Sequence, residues 1–323
     1  MKAITMALAI SNNINFSQSF ESLKTLKLFI DTCSQIVVGK GDRVELALVA
    51  MLARGHILIE DVPGTGKTTL AKVLSALLGA EMKRVQFTND LLPSDIIGSS
   101  VFHPPTSQFQ FKKGPIFSQL FLGDELNRAS PRTQSACLQA MEEGRISIDG
   151  VDLPLPEGFV FIATQNPTES AGVFPLPESQ LDRFMICFSL GSLDSKYEHE
   201  LLLGKDRLAM IETLEPLLSF EELRNLQNLI VDFVQISPKI ATYILNLASG
   251  IRTRGVGLST RSLISLSRAA KALAFLRGRD FVIPEDVKTM LIPCFAHRMR
   301  GALSRTDAKA HIEKVSLETA VPL

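Results

Sequence analysis

A glycine-rich loop between a short apolar run and a helical pattern constrains the fold of this chain most. Residues 56–60 (HILIE) form the apolar run, residues 61–69 (DVPGTGKTT) form the loop, and residues 70–78 continue with apolar side chains at helical spacing. A strand, a glycine turn and a helix in this order are typical of α/β proteins, in which a buried strand leads onto a helix N-terminus. The loop therefore predicts a phosphate-binding turn at the end of a strand.

The residues of this loop suit the phosphate groups of a nucleotide. Gly64 and Gly66 let backbone amides approach phosphate oxygens, and the helix N-terminus adds a favourable dipole. Lys67 is expected to reach the β and γ phosphates, and the hydroxyl of Thr68 is expected to bind Mg²⁺. The strict pattern asks for glycine where Asp61 stands, so the match is incomplete. The candidate nucleotide-binding residues of the loop are Pro63, Gly64, Thr65, Gly66, Lys67, Thr68 and Thr69.

Two later apolar runs also end in polar residues. One leads through glycine to Asp124 and Glu125, and the other leads to Asn166. At the end of a buried strand, Asp124 is expected to hold Mg²⁺ through water, Glu125 to polarise the attacking water and Asn166 to orient it. Taken singly, the acidic pair is also typical of an exposed turn. Asn166 alone is also typical of a turn that precedes a proline. Together with the loop, they predict a site that binds and hydrolyses ATP.

Besides residues 56–60, four short apolar runs occur in the first 190 residues, and two of them are the runs that lead to Asp124 and Asn166. They lie at residues 83–87, 116–123, 159–164 and 184–190. Helical or loop material separates them, and this alternation is typical of a parallel sheet with crossover helices. We therefore predict an α/β fold for this part of the chain.

The strand pattern ends near residue 190, and helical periodicity replaces it. The predicted helices cover residues 196–204, 219–233, 237–250, 260–277 and 284–292. The predicted organisation is an N-terminal extension (1–20), an α/β nucleotide-binding core (21–190), a linker (191–215) and a C-terminal helical domain (216–323).

Charge balance and cysteine spacing argue against several classes of protein. Lys and Arg total 34 and Asp and Glu total 34, so no overall positive field favours nucleic acid. No apolar run approaches the roughly 20 residues of a membrane span. The cysteines lack metal or redox spacing and are expected to be reduced core thiols. The first residues show no cleavage pattern of a secretion signal, so we expect a loose extension and a cytoplasmic protein.

Four segments carry a resemblance to a known family. They are residues 55–64 (GHILIEDVPG), 87–96 (FTNDLLPSDI), 123–135 (GDELNRASPRTQS) and 140–144 (AMEEG). In this order they resemble the AAA+ superfamily and its MoxR branch, within the helix-2-insert clade. The resemblance covers nearly all of residues 30–320, and Asp61 in place of glycine is familiar in that branch.

The resemblance implies a five-stranded parallel sheet with a helical lid, assembled into a ring that is commonly a hexamer. ATP and Mg²⁺ then lie between subunits. Val38 and Gly39 fall where such proteins wrap the adenine, with Lys40 in place of the usual glutamine. Arg183 falls where an arginine finger would act on the ATP of the neighbouring subunit. Arg128 and Arg132 remain alternatives for the finger.

Two other segments have counterparts in the family. Residues 257–261 (GLSTR) resemble the second sensor motif, in which Arg261 would contact the γ-phosphate, with Arg252 and Arg254 as rivals. Residues 100–114 resemble the hairpin insertion of the clade. Its aromatic side chains are either exposed towards a substrate in the pore of the ring or packed down on a solvated hairpin. The segment at His297 and Arg298 also matches, and we assign it no catalytic role.

The leading functional hypothesis is an ATP-driven chaperone that remodels or activates a client protein. The resemblance suggests a client with a von Willebrand A domain. One rival is a nucleic-acid motor, against which the neutral charge argues, because a phosphate backbone requires a basic groove. A second rival is a nucleotide-switched structural subunit with little turnover, and a third is the motor subunit of a metal chelatase.

Overall fold

The computed structural model describes residues 21–148, 150–167, 172–193, 195–203, 207–253, 257–299 and 303–322. The predicted N-terminal extension and Arg254 lie outside these residues. The first part of the chain contains α1 (residues 21–36), α2 (Gly41–Leu52), β1 (Ile57–Glu60), α3 (Lys67–Leu77), β2 (Met82–Gln86), α4 (Pro93–Ile97), β3 (Gly98–His103), β4 (Gln108–Lys113), β5 (Leu120–Asp124), α5 (Pro131–Glu143), β6 (Arg145–Ile148), β7 (Val151–Pro154), β8 (Val160–Gln165), α6 (Glu178–Leu181) and β9 (Ile186–Phe188). The second part contains α7 (Ser195–Leu202), α8 (Arg207–Glu212), α9 (Phe220–Phe233), α10 (Pro238–Arg252), α11 (Thr260–Leu276), α12 (Pro284–Phe295) and α13 (Arg305–Glu318).

The predicted parallel sheet is confirmed. Its five strands run in the order β2-β5-β8-β1-β9, and all neighbours are parallel. In this register Ile57 of β1 lies opposite Ile162 of β8 and Ile186 of β9. Because the strands are parallel, all of them end at one edge of the sheet, here named the carboxyl edge. The edge at which they begin is named the amino edge.

Two hydrophobic cores cover the two faces of the sheet. Ile57 and Ile162 belong to a large core that includes α1, α2, α3 and the helices of the C-terminal part. Leu58 and Phe161 belong to a smaller core on the other face, with α5. Each such side chain contributes about 1.5–3 kcal/mol when fully buried. Successive side chains along a strand point to opposite faces of the sheet, so the position of a residue in its strand decides which of the two cores it joins.

The C-terminal helices form a lid, as predicted, and serine caps start four of them. The side chains of Ser219, Ser237, Ser259 and Ser304 each accept a hydrogen bond from the backbone N–H three residues later. Helices α9 and α11 pack on α2, and both belong to the large core. The lid is thus packed directly on the sheet domain.

Two hairpins project from the sheet domain. The β3–β4 hairpin falls in the segment predicted as an insertion, and its Phe102 and Phe109 rings stack edge to face at 5.4 Å. These two side chains are 50% and 73% exposed, so they are not packed down. The β6–β7 hairpin was not predicted, although Asp149-Gly150 between alternating residues is a hairpin signal, and Gly150 has a φ of 77°.

The cysteines are free thiols, as expected. Cys33, Cys137 and Cys294 are buried, and Cys187 is partly buried. Burial raises the pKa of each of these thiols to about 12. None of them is therefore a reactive thiolate at neutral pH. Within the described ranges, no helix is both long and apolar enough to cross a membrane.

Arg298 joins the lid to the segment before β9. Its side chain is 2% exposed and forms an ion pair with Asp182, with Nε 2.9 Å from Oδ1. Its Nη2 also donates to the backbone carbonyls of Asp182 and Phe184, at 3.1 and 2.9 Å. The same Asp182 accepts a hydrogen bond of 2.8 Å from Ser259 at the start of α11. The lid and the amino edge are therefore connected through buried polar contacts.

Arg298→Ala is expected to lower the free energy of unfolding by about 3 kcal/mol, because it leaves buried carbonyls and a carboxylate without their donor. Urea unfolding followed by circular dichroism measures this change. Arg268→Ala, at an exposed position on α11, is the matched control and should change stability by less than about 0.5 kcal/mol. Equal stability of both variants would show that Arg298 is not a structural anchor.

Candidate active site

The glycine loop connects a strand to a helix, as its sequence predicts. It joins β1 to α3 at the carboxyl edge, with φ values of 85° at Gly64 and 92° at Gly66. A Cβ atom at either position would meet no atom within 4 Å, so the backbone conformation, rather than crowding, requires glycine there. Pro63 precedes these glycines in the loop, and Thr69 lies in the first turn of α3.

Lys67 folds back over the loop. Its Nζ donates to the carbonyl oxygens of Asp61 at 2.7 Å and Val62 at 2.9 Å. Burial lowers the pKa of Lys67, and the nearby carboxylates of Asp61, Asp124 and Glu125 oppose this shift. The ammonium group thus lies in the loop, in the field of three carboxylates.

Asp61 anchors the loop to the end of β9. Its Oδ2 accepts hydrogen bonds from Ser189 Oγ at 3.0 Å and from the Gly191 backbone N–H at 2.7 Å. Its Oδ1 accepts from the Val62 N–H at 3.1 Å, and the residue is 7% exposed. A glycine at this position would provide none of these contacts. The residue that departs from the strict loop pattern therefore has a structural role in this chain.

Asp124 ends β5 beside the loop. Its Oδ2 lies 3.4 Å from the Thr68 hydroxyl and 2.6 Å from Nε of Arg84, and its Oδ1 accepts from Thr164 at 3.1 Å. A hydroxyl and a carboxylate are oxygen ligands of the kind that Mg²⁺ prefers, usually completed by nucleotide phosphates and water. These residues therefore fit the expected Mg²⁺ site. The part of the chain that the structure describes has no cluster of three His, Cys, Asp or Glu side chains suited to a metal.

Glu125 follows in a left-handed conformation with a φ of 58°. Its Oε2 accepts from Nη1 of Arg128 at 3.0 Å and from Nε2 of Gln86 at 3.3 Å. Its side chain is 20% exposed. The predicted catalytic carboxylate is therefore held by two polar side chains of its own subunit.

Asn166 directly follows β8 at the same edge, and its backbone carbonyl accepts from Nδ2 of Asn127 at 3.2 Å. The preceding residue, Gln165, donates to the buried carboxylate of Glu60. Arg305 at the start of α13 lies 3.6 Å from the same Glu60 carboxylate. The lid thus also reaches the carboxyl edge, next to the residue that precedes the loop.

The predicted adenine segment lies against the start of the linker. Gly39 has a φ of 69°, and a Cβ there would lie 2.6 Å from the Tyr197 ring of α7. Lys40 Nζ donates to the Ser192 carbonyl at 2.6 Å. Val38 precedes Gly39 in the same turn and is partly buried. An aromatic ring is thus placed beside the residues expected to wrap the base.

Arg183 and Arg261 lie together at the amino edge, away from the loop. Arg183 Nε is 2.9 Å from Oε2 of Glu142, and Arg261 Nη2 pairs with Oε1 of the same carboxylate. Met185 N–H donates to His56 O at 3.0 Å, whereas the loop begins five residues after His56. A strand rises about 3.3 Å per residue, so the Met185–His56 contact at the amino edge and the start of the loop are about 16 Å apart.

The remaining arginine candidates have other surroundings. Arg128 pairs with Glu125 of its own site, and Arg132 is exposed in the first turn of α5. Arg252 donates from Nε and Nη2 to the Leu258 carbonyl, so it supports the loop before α11.

Comparisons with known proteins identify a family of ATPases and several relatives. The family model of ATPases associated with various cellular activities (AAA) matches residues 56–186, and the AAA lid domain model matches residues 252–317. An uncharacterised protein, YeaC of Bacillus subtilis, is 39% identical over 301 residues, covering 91% of this chain and 94% of that protein. Chaperone MoxR1 of Mycobacterium tuberculosis is 35% identical over 289 residues, covering 85% of this chain and 75% of that protein.

A solved structure is similar over the full length. A crystal structure of a protein assigned as an ATPase from Cytophaga hutchinsonii superposes with a TM-score of 0.84 at 33% identity. The match covers 98% of this chain and 99% of that one.

Several residues of the site escaped the sequence analysis. Arg84, Gln86, Glu142 and Tyr197 each contact a predicted site residue, but all four are distant from it in sequence. The AMEEG segment was noted only for its family resemblance. No local pattern singles out the other three.

Asp61→Gly restores the strict loop pattern, yet it is expected to weaken ATP binding several-fold and to lower stability by about 2 kcal/mol. The reason is that the Gly191 and Ser189 donors lose a charged acceptor. Titration calorimetry and urea unfolding measure the two effects, and Asp61→Asn should be intermediate, since it keeps one acceptor oxygen. Unchanged or tighter ATP binding by Asp61→Gly would contradict this role.

Proposed function

We propose that this chain, which belongs to the MoxR family of AAA+ ATPases, is a ring-forming motor that uses ATP hydrolysis to remodel or activate a client protein. The chain is an ATPase of the AAA family with an AAA lid. Its relative MoxR1 is named a chaperone. Assembly, client and residue roles are the parts that we propose.

The observation that carries this proposal is the division of the site between two edges of the sheet. Lys67, Thr68, Asp124 and Glu125 lie at the carboxyl edge, whereas the arginine pair lies at the amino edge, about 16 Å away along the strands. Arg183 therefore cannot reach the phosphates bound by its own loop. A second copy that presents its amino edge to this loop completes the site. A contact between two different surfaces repeats head to tail and closes into a ring, of which a hexamer is the expected size.

Each residue then has a defined task at the interface. The amides of the loop and Lys67 bind the β and γ phosphates, and Thr68 and Asp124 would hold Mg²⁺, which neutralises phosphate charge when bound. Glu125 polarises the attacking water, and Asn166 orients it. Arg183 and Arg261 of the neighbouring subunit stabilise charge on the transferring phosphoryl group. Arg261 thus contacts the γ-phosphate of the neighbouring subunit's nucleotide.

The client is proposed to be a protein. Phe102 and Phe109 form an exposed aromatic pair on the β3–β4 hairpin, near Lys112 and Lys113. Such a pair suits an unfolded or loosely packed segment. A client with a von Willebrand A domain rests on the family resemblance alone. The neutral net charge supports a protein client over a nucleic acid.

One observation favours a second function, a nucleotide-switched subunit with little turnover. Arg128 and Gln86 hold the Glu125 carboxylate, which must be free to polarise water during hydrolysis. Steady ATP turnover by the purified protein would favour the motor, whereas ATP binding with little turnover would favour the switched subunit.

Glu125→Gln is expected to bind ATP normally and to lose at least 100-fold in turnover, because the amide cannot act as a base. Lys67→Ala is expected to lose ATP binding itself. Steady-state phosphate release and nucleotide titration measure these effects, and Glu313→Gln, an exposed carboxylate on α13, is the control. Equal turnover by wild type and Glu125→Gln would refute the catalytic assignment.

Arg183→Ala is expected to lose at least tenfold in turnover while it still binds ATP. An equal mixture of Arg183→Ala and Lys67→Ala should recover activity. In such a ring, the intact loop of an Arg183→Ala subunit meets the intact Arg183 of a Lys67→Ala subunit. The phosphate release rate of the mixture is compared with that of each variant alone, with size analysis in ATP. If Arg128→Ala is rescued instead, Arg128 is the finger.

A further inference from the structure

We propose that Glu142 positions the arginine finger, by holding Arg183 and Arg261 together as one clamp for the γ-phosphate bound by the neighbouring subunit. The inference rests on the proposed trans action of these arginines. It adds a residue that touches no nucleotide and acts through two residues that do.

The contacts of Glu142 divide evenly between the two arginines. Oε2 lies 2.9 Å from Nε of Arg183, and Oε1 pairs with Nη2 of Arg261. The Glu142 side chain is 33% exposed, that of Arg183 23% and that of Arg261 47%. One carboxylate therefore bridges a partly buried guanidinium of the sheet domain and a more exposed one of the lid.

The free donors of the two arginines suit a phosphate group. An arginine has five N–H donors in a rigid plane. Arg183 approaches Glu142 through Nε, and its two terminal nitrogens form no hydrogen bond within the described residues. Arg261 pairs through one terminal nitrogen. The remaining donors can bind phosphate oxygens in pairs, which is the geometry that guanidinium groups favour.

Charge also points to an anionic ligand. Two guanidinium groups share one carboxylate, so the cluster keeps one excess positive charge. Asp182 does not compensate for it, because this residue is paired with Arg298 at 2.9 Å and bonded to Ser259 at 2.8 Å. Without Glu142, the two cations would repel each other and separate. With it, they stay close enough to act on one phosphate.

The position of Glu142 in its helix is unfavourable by itself. It is the penultimate residue of α5, and Glu143 follows, while the last turn contains no basic residue. Acidic side chains at a helix C-terminus oppose the helix dipole and destabilise the helix end. A carboxylate at this place therefore has to gain stability from another contact, and the two arginines supply it.

Glu142 also couples the lid to the finger. Arg261 lies in the first turn of α11, in the lid, whereas Arg183 precedes β9 in the sheet domain. The shared carboxylate fixes the distance between these two elements. A change in lid angle therefore changes the position of both arginines together.

The test uses Glu142→Gln, with Glu143→Gln as the matched control, because Glu143 is the exposed neighbour on the same turn. We expect Glu142→Gln to lower kcat at least tenfold while KM and the ATP affinity of the subunit change less than twofold, since its loop lies at the other edge. Glu142→Asp keeps the charge and should recover part of kcat. Circular dichroism and size analysis check folding and assembly.

Mixed rings decide where Glu142 acts. Glu142→Gln mixed with Lys67→Ala should recover turnover, because the second variant supplies an intact clamp. Glu142→Gln mixed with Arg183→Ala should not recover, because neither variant supplies one. Recovery in this second mixture would overturn the inference, since Glu142 would then serve the nucleotide of its own subunit.

Two outcomes separate this inference from the proposed function. If Arg183→Ala loses turnover but Glu142→Gln keeps the kcat of Glu143→Gln, Glu142 does not position the finger, and the ring mechanism stands. If Arg183→Ala and Glu142→Gln both keep full turnover, the trans action of Arg183 fails, and the inference fails with it.

Discussion

The parallel hydrogen-bonded register of the five strands is the constraint on which the rest of this structure depends. It brings the ends of β1, β5 and β8 to one edge, so the loop, Asp124, Glu125 and Asn166 converge although about 100 residues separate the first from the last. The same register puts the start of β9 at the other edge. One chain therefore presents the proposed phosphate-binding half-site at one edge and an arginine pair at the other.

Polar groups near the two half-sites are largely paired within the subunit. Arg84 contacts Asp124, Arg128 contacts Glu125, and Glu142 contacts both arginines of the amino edge. An ion pair of this kind is partly exposed and contributes little to stability, typically 0–1 kcal/mol. The pairs of Asp124 and Glu125 at the carboxyl edge can therefore exchange for contacts with nucleotide at small cost. The anchors of the framework are different, because Arg298 is buried and holds several acceptors at once.

Most of the fold was predictable because local signals encode it. Apolar runs indicated the strands, and residues such as Ser219 and Ser237 marked helix starts through caps that need only three residues of chain. The β6–β7 hairpin was not predicted, although the sequence Asp-Gly between the two strands is a local hairpin signal. The limits of the domains and of the linker stay predictions. The open question of the β3–β4 aromatics was decided by the tertiary structure, in which Phe102 and Phe109 contact each other and stay 50% and 73% exposed.

The sequence by itself determined which residues are candidates for phosphate, magnesium and water chemistry, because each motif lies within a few residues at the end of one strand. Only the tertiary structure decided their partners: Ser189 for Asp61, Arg84 for Asp124, Tyr197 for Gly39, and Glu142 for Arg183 and Arg261. These contacts join residues about 40 to 160 positions apart. Strand order and lid packing set such distances, and both are settled by burial of apolar surface across the whole chain rather than by any local pattern.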